Sequence, residues 1–293
     1  AKTGIACSKC SSTEVDDQGY CVGCGLRGPR ERDHVEEEKP PTIAGVSDRG
    51  IKHHRNEDDF KFAKLKGYHA IVVCDGISMS QDPDLASRAA VTTGCGVLAD
   101  AIRGGAFDLE GAMQDAIRSA NKAVSEIPYV KPQTDEDLPA PSCTFVGAVL
   151  EDATGHVWLG WAGDARAYFI AKGHSRQLSV DESWYQTAIA NGMDPEKATK
   201  HKDAHAIERW LGDDADLSKP FSFAQVDLPA SGLLALVSDG LWNYAESAEE
   251  IEALIAGAPK GASLLEIARQ LVNFAIGKGG KDNITVVIAK VTL

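Results

Sequence analysis

The sequence has no apolar run approaching the roughly 18–20 residues that a bilayer-crossing helix needs. Its start, AKTGIACSKC, lacks the apolar stretch of a secretory leader. Neither a membrane anchor nor export is therefore expected, and the chain reads as cytoplasmic. Basic charge is scarce as well, with 30 Lys and Arg against 43 Asp and Glu and a net charge of −13. A broad nucleic-acid or anionic-lipid surface needs the opposite balance, so neither partner is expected. Internal repeats are missing, which excludes solenoids. What remains is ordinary globular composition, 43% hydrophobic and 25% charged over 293 residues. That length suits one large domain with a small appendage and can bury a core without covalent staples.

Seven cysteines are present, four of them within the first 24 residues. Cys7 and Cys10 form one Cys-x-x-Cys knuckle, and Cys21 and Cys24 form another. Two such knuckles offer four thiolates to a tetrahedral Zn²⁺. The segment has almost no apolar content, so metal binding would supply its folding energy. The competing reading is a pair of disulfides in a secreted chain, which the lack of a leader disfavours. Cys74, Cys95 and Cys143 lie in apolar stretches and read as packing residues.

Three regions follow: a zinc ribbon at 1–28, a charged and Pro-containing linker at 29–41 (PRERDHVEEEKPP), and one globular domain at 42–293. Within the last, strands are expected at 43–47, 59–64, 69–75, 143–150, 156–161, 165–171, 221–227, 233–238 and 284–291. Helices are expected at 85–102, 109–125, 248–256 and 263–276, with a polar insertion at 183–212. Strands arrive in hairpin-like runs and helices in adjacent pairs, a pattern of antiparallel sheets covered by helices.

Acids recur at strand ends beside Gly or Asn: Glu57-Asp58 after Asn56, Asp75-Gly76, Gly163-Asp164, Asp239-Gly240 and Asp282-Asn283. Each alone is an ordinary turn. An acid at the tip of a buried strand is costly unless paired, and several together repel. Hard divalent cations with oxygen ligands, Mg²⁺ or Mn²⁺, resolve that conflict, and a two-ion site can activate water for phosphoryl transfer.

The stretches SDRGIKHHRNEDDF, VVCDG, CTFVGAVLEDATGHVWLGWAGDARAYFI, LLALVSDGLW and GKDNITVVIA, in this order, resemble the PP2C (PPM) family of metal-dependent protein serine/threonine phosphatases over about residues 42–293. The resemblance implies an α+β fold, a four-layer αββα sandwich with metals in a cleft between the sheet edges. It implies that Asp75 bridges two ions (Mn²⁺ or Mg²⁺). Glu57 and the Gly76 carbonyl would serve one ion, Asp239 and Asp282 the other. Asp58 would hold waters, and Asp164 would join Asp239 at a third ion. The implied reaction is attack of a metal-bridging hydroxide on phosphoserine or phosphothreonine, without a phospho-enzyme. A cysteine nucleophile is not expected: the Cys-x5-Arg spacings present, Cys21 to Arg27 and Cys24 to Arg30, use the cysteines of the second knuckle. Residues 183–212 resemble the family's flap. The implied partners are phosphoproteins, a Ser/Thr kinase and its targets among them.

Two positions depart from the family pattern. Where members often carry a phosphate-gripping Arg, this chain has His53, with Arg55 nearby to compensate. A His is a weaker, pH-dependent phosphate ligand, and the competing reading is a solvated loop residue. After Gly76 the chain reads Ile77-Ser78-Met79-Ser80, unlike the family's usual run, and Ser78 and Ser80 read as plain loop residues. Two rival functions stay open. One is a catalytically weak or inactive PP2C-like binding module with the ribbon as docking element. The other is a nucleic-acid-binding ribbon, against which residues 1–30 carry four bases, three acids and a single aromatic, Tyr20.

Overall fold

The computed structural model describes residues 7, 10–16, 20–25, 28, 30–105, 108–134 and 136–293. Two antiparallel sheets lie face to face. The first orders its six strands β1 (His34–Lys39), β2 (Ile43–Asp48), β13 (Ile284–Val291), β12 (Gly232–Val237), β8 (Arg166–Ile170) and β9 (Arg176–Gln177). The second orders five as β11 (Ser222–Asp227), β7 (His156–Ala162), β6 (Phe145–Glu151), β4 (Tyr68–Cys74) and β3 (Asp59–Leu65). Two short strands, β5 (Ser142–Cys143) and β10 (Leu211–Gly212), pair separately. Helices α1 (Pro83–Arg103) and α2 (Leu109–Ser125) cover the five-stranded sheet. Helices α5 (Asp239–Trp242), α6 (Ala248–Ala256) and α7 (Leu264–Gly277) cover the six-stranded one. The result is the expected four-layer αββα sandwich.

The alternation of a strand explains the layers. Along β4, Ile71 and Val73 point between the sheets, towards Phe60, Phe169 and Val287, while Ala70, Val72 and Cys74 point towards α1 and α2. Both faces of the strand are buried, which is why IVVC reads as one continuous apolar run. On the other sheet, Leu234 and Leu236 face inward while Ala235 and Val237 meet α7 and its neighbours.

One expectation is corrected. Residues 34–39 are no linker: β1 pairs with β2 along its whole length, from His34 opposite Asp48 to Lys39 opposite Ile43. It is an edge strand with a largely exposed face, and such edges carry charge that blunts further pairing. The HVEEEK composition, read as solvated linker, is that edge chemistry. Val35 packs on the inter-sheet core, and Arg32, in the turn before β1, donates to the Asp58 carbonyl and the Asp59 carboxylate. Residues from Arg32 onward thus belong to the folded sandwich. A second difference lies at 143–150, where the expected strand breaks at Thr144 into β5 and β6. The insertion at 183–212 folds into α3 (Trp184–Ala190), α4 (Pro195–Thr199) and β10, with the Trp184 ring stacked on His201 at 4.0 Å.

Candidate active site

Strand pairing brings every acid-bearing strand tip to one end of the sandwich. Asp75 leaves β4, Asp239 follows β12, Asp282 precedes β13, Glu57 and Asp58 precede β3, and Asp164 joins β7 to β8. The two sheets thus face each other across their carboxylates.

Polar side chains fix these tips. The Thr144 break accounts for itself here: its N–H donates to the Asp75 carbonyl at 2.8 Å, and its Oγ1 accepts from the Asp75 N–H at 3.0 Å. Asn283 accepts from the Glu57 N–H at 2.8 Å and donates to the Arg49 and Arg55 carbonyls at 2.8 and 3.0 Å. Ser238 donates to Asp58 Oδ2 at 2.7 Å and accepts from the Thr285 N–H at 2.9 Å. Trp242 Nε1 donates to the Asp164 carbonyl at 3.0 Å, and its ring lies 3.8 Å under the Arg166 guanidinium. Arg166 is itself locked by Asp181 at 2.6 Å, both of them buried.

Asp58, Asp75, Asp164 and Asp239 each feel the charge of others in the group. Burial, with the charges of Asp58, Asp239, Asp282 and Asp164 added, pushes Asp75 well above the usual carboxylate range. Burial does the same to Asp239, assisted by Asp282, Asp164 and Asp58. Asp58, 1% exposed, is pushed up to about 6 by burial against the pull of the Ser238 hydrogen bond. Asp164 rises to about 7, from burial and then the Asp181 charge. The cluster thus concentrates negative charge with little compensation, and Asp58 Oδ1 and Asp239 Oδ1 are buried without a hydrogen-bond partner. Oxygen-only donors, buried acceptors left open and mutual repulsion are what a hard divalent cation satisfies, so these residues fit such ions.

Beside the cluster, Lys52, His53, His54 and Arg55 line an open cavity of about 460 Å³ with Glu57 and Ser78. His53 is no solvated loop residue: its Nε2 lies 3.1 Å from Asp282 and its Nδ1 3.9 Å from Glu57. Arg55 is engaged by Glu57 at 3.0 Å and by Asp84 at 2.8 Å. Ser78, expected to be a plain loop residue, donates a short hydrogen bond to Glu57. Ser80 is buried, and its Oγ accepts from the Ser142 N–H at 3.2 Å. Gly76 donates its N–H to the Glu57 carbonyl at 3.2 Å. Thr144, Asn283, Ser238 and Trp242 were not anticipated as site residues. For Asn283 and Ser238 a faint signal existed, since each adjoins a singled-out acid. At the other end of the chain, the sulfurs of Cys7, Cys10, Cys21 and Cys24 all lie within 4.8 Å of one another.

Comparison with known proteins agrees with this geometry. The family model "Protein phosphatase 2C" matches residues 50–270. Serine/threonine phosphatase stp of Listeria innocua is 29% identical over 251 residues, 83% of this chain and 93% of its own length. The crystal structure of the Mycobacterium tuberculosis serine/threonine phosphatase PstP/Ppp superposes with a TM-score of 0.68 at 25% identity, covering 86% of this chain and 98% of that one. A structure of the PstP catalytic domain in complex with two manganese ions shares the fold, with a TM-score of 0.66 at 24% identity over 89% of this chain and all of that one. With the model spanning most of the sandwich and its carboxylate-bearing tips, this chain belongs to the protein phosphatase 2C family.

Proposed function

We propose that the chain hydrolyses phosphoserine and phosphothreonine in proteins. Glu57, Asp75, the Gly76 carbonyl, Asp239 and Asp282 would hold two Mn²⁺ or Mg²⁺ ions, and Asp164 with Asp239 would hold a third. The observation that carries the reading is the mutual repulsion of Asp58, Asp75, Asp164 and Asp239 next to a cavity lined by four basic residues. When bound, such ions lower the pKa of water and neutralise charge on the transferring phosphoryl group.

The chain's own residues do the remaining work. Asp58 keeps Oδ1 buried without a hydrogen-bond partner while Ser238 holds its other oxygen, so it can orient the attacking water and accept a proton from it. Asn283 fixes the backbone from which Glu57 projects. His53 and Arg55 would offer N–H donors to the phosphate oxygens from the cavity wall. Direct attack by water fits better than a cysteine nucleophile, because Cys74, next to Asp75, is fully buried and its thiol is pushed far up by that burial. The inactive-module reading draws no support from a site that retains its whole carboxylate set.

Phosphoproteins are the substrates on this reading, a Ser/Thr kinase and its targets among them. No helix among the described residues is long and apolar enough to cross a membrane. The test is hydrolysis of a phosphothreonine peptide with Mn²⁺, Mg²⁺ or EDTA. Metal-dependent turnover that Asp239→Asn abolishes is expected. Absence of turnover in folded, metal-loaded wild type would refute the proposal.

A further inference from the structure

The four N-terminal cysteines stand apart from the carboxylate centre. Their sulfurs interleave the two knuckles: Cys7 Sγ is 3.6 Å from Cys24 Sγ, and Cys10 Sγ is 3.4 Å from Cys21 Sγ. A disulfide requires about 2.05 Å, so neither of these contacts is one. Around an ion with 2.3 Å metal–sulfur bonds, tetrahedral corners lie about 3.8 Å apart, and the observed spacings are close to that edge.

The backbone repeats the same turn in both knuckles. The Ser11 N–H donates to the Cys7 carbonyl at 2.8 Å, and the Gly25 N–H donates to the Cys21 carbonyl at 2.8 Å. In each case the residue after the second cysteine is left-handed, with φ of 59° at Ser11 and 69° at Gly25. Two sequence-remote loops thus present sulfur pairs in matching geometry. Cys7 and Cys21 are only 3% and 2% exposed, yet the hydrophobic clusters of the sandwich include none of the described residues of this segment. Something other than an apolar core must hold the thiols together.

We propose that Cys7, Cys10, Cys21 and Cys24 bind one Zn²⁺ as thiolates, and that this ion folds the segment. Each thiol gives up its proton to solvent on binding. Four protein ligands leave no open position for water, so the ion is structural rather than catalytic. Soft thiolates select Zn²⁺, whereas the oxygen donors of the other centre suit Mn²⁺ or Mg²⁺, so the two centres do not compete for one ion.

The test measures metal content in the full chain, purified under reducing conditions and desalted. One equivalent of zinc per chain is expected in the wild type and in Asp239→Asn, and none in the double variant Cys10→Ser/Cys24→Ser. Cobalt(II) added to metal-free wild type should give intense thiolate charge-transfer absorption and the visible bands of tetrahedral cobalt. The double variant should give neither, while its main urea transition stays cooperative, showing that the sandwich is folded. Zinc retained in the cysteine variant, zinc lost in Asp239→Asn alone, or iron in place of zinc would each overturn the assignment. So would wild type without tightly held metal.

Discussion

Gly240 offers the sharpest test of how the carboxylates are held. It follows Asp239 in the first turn of α5, and a Cβ built there would lie 1.9 Å from the Asn283 carbonyl oxygen. Real Cβ contacts essentially never fall below 3.0 Å, so Gly240→Ala must drive the two backbones apart by about 1.1 Å. Neither side can yield without consequence. Asp239 precedes Gly240, Asp282 precedes Asn283, and the Asn283 side chain holds Glu57. A misplacement of about 1 Å in a catalytic constellation costs about 100-fold in rate. Overpacking costs roughly 1–3 kcal/mol of stability, but alanine regains up to about 1 kcal/mol over glycine in a helical turn. Activity should therefore fall much further than stability. The assay pairs turnover of a phosphothreonine peptide across an Mn²⁺ titration with urea unfolding. Expected are a folded variant, kcat/KM lower by about two orders of magnitude, and a weaker apparent Mn²⁺ affinity. A variant whose kcat/KM stays within about threefold of wild type at unchanged Mn²⁺ affinity would refute the claim that this backbone contact sets the ligand geometry.

Removing the Asn283 side chain tests the same frame by subtraction. Asn283→Ala strips three hydrogen bonds, to the Glu57 N–H and the Arg49 and Arg55 carbonyls, and should cost about 2–4 kcal/mol in urea unfolding together with weaker Mn²⁺ binding; a loss below about 1 kcal/mol would show that these groups find other partners. The edge strand supplies a pH-dependent prediction. The Asp48 carboxylate, against some desolvation and with help from Glu36, raises His34 to about 9. A raised histidine stabilises the fold fully below about 6.5, its unfolded value, and that contribution is lost as pH climbs through about 9. The His34 side chain is half exposed, so the effect should stay under about 1 kcal/mol. Urea midpoints of wild type and His34→Gln should differ at pH 6 and converge by pH 10; an equal gap at both would exclude the ion pair as its source.

What the sequence made legible was periodicity and punctuation. IVVCDG and LLALVSDG announce strands buried on both faces and ending in an acid, so the core layers and the acid-tipped ends could be read directly. β1 was lost because an edge strand with one wet face has the composition of a linker, and only its partner β2 distinguishes the two. Thr144 was lost because two residues on either side of it pair with different strands, a break that no local pattern marks. The deeper gap is one of distance along the chain. The Ser238 to Asp58 bond spans 180 residues and the Asn283 to Glu57 bond spans 226. Side-chain period tells which face a residue takes, never which remote residue meets it. Those meetings follow from strand order: β13, last in the chain, lies between β2, near its start, and β12. That placement carries Asp282 and Asn283 to the loop holding His53, Arg55 and Glu57, and it sets Asp239 beside both. The acids near position 57 and those near 239 and 282 come to one end of the sandwich because the final strand inserts between β2 and β12. The catalytic centre is thus a consequence of topology, which the acid–glycine pairs indicate but cannot specify.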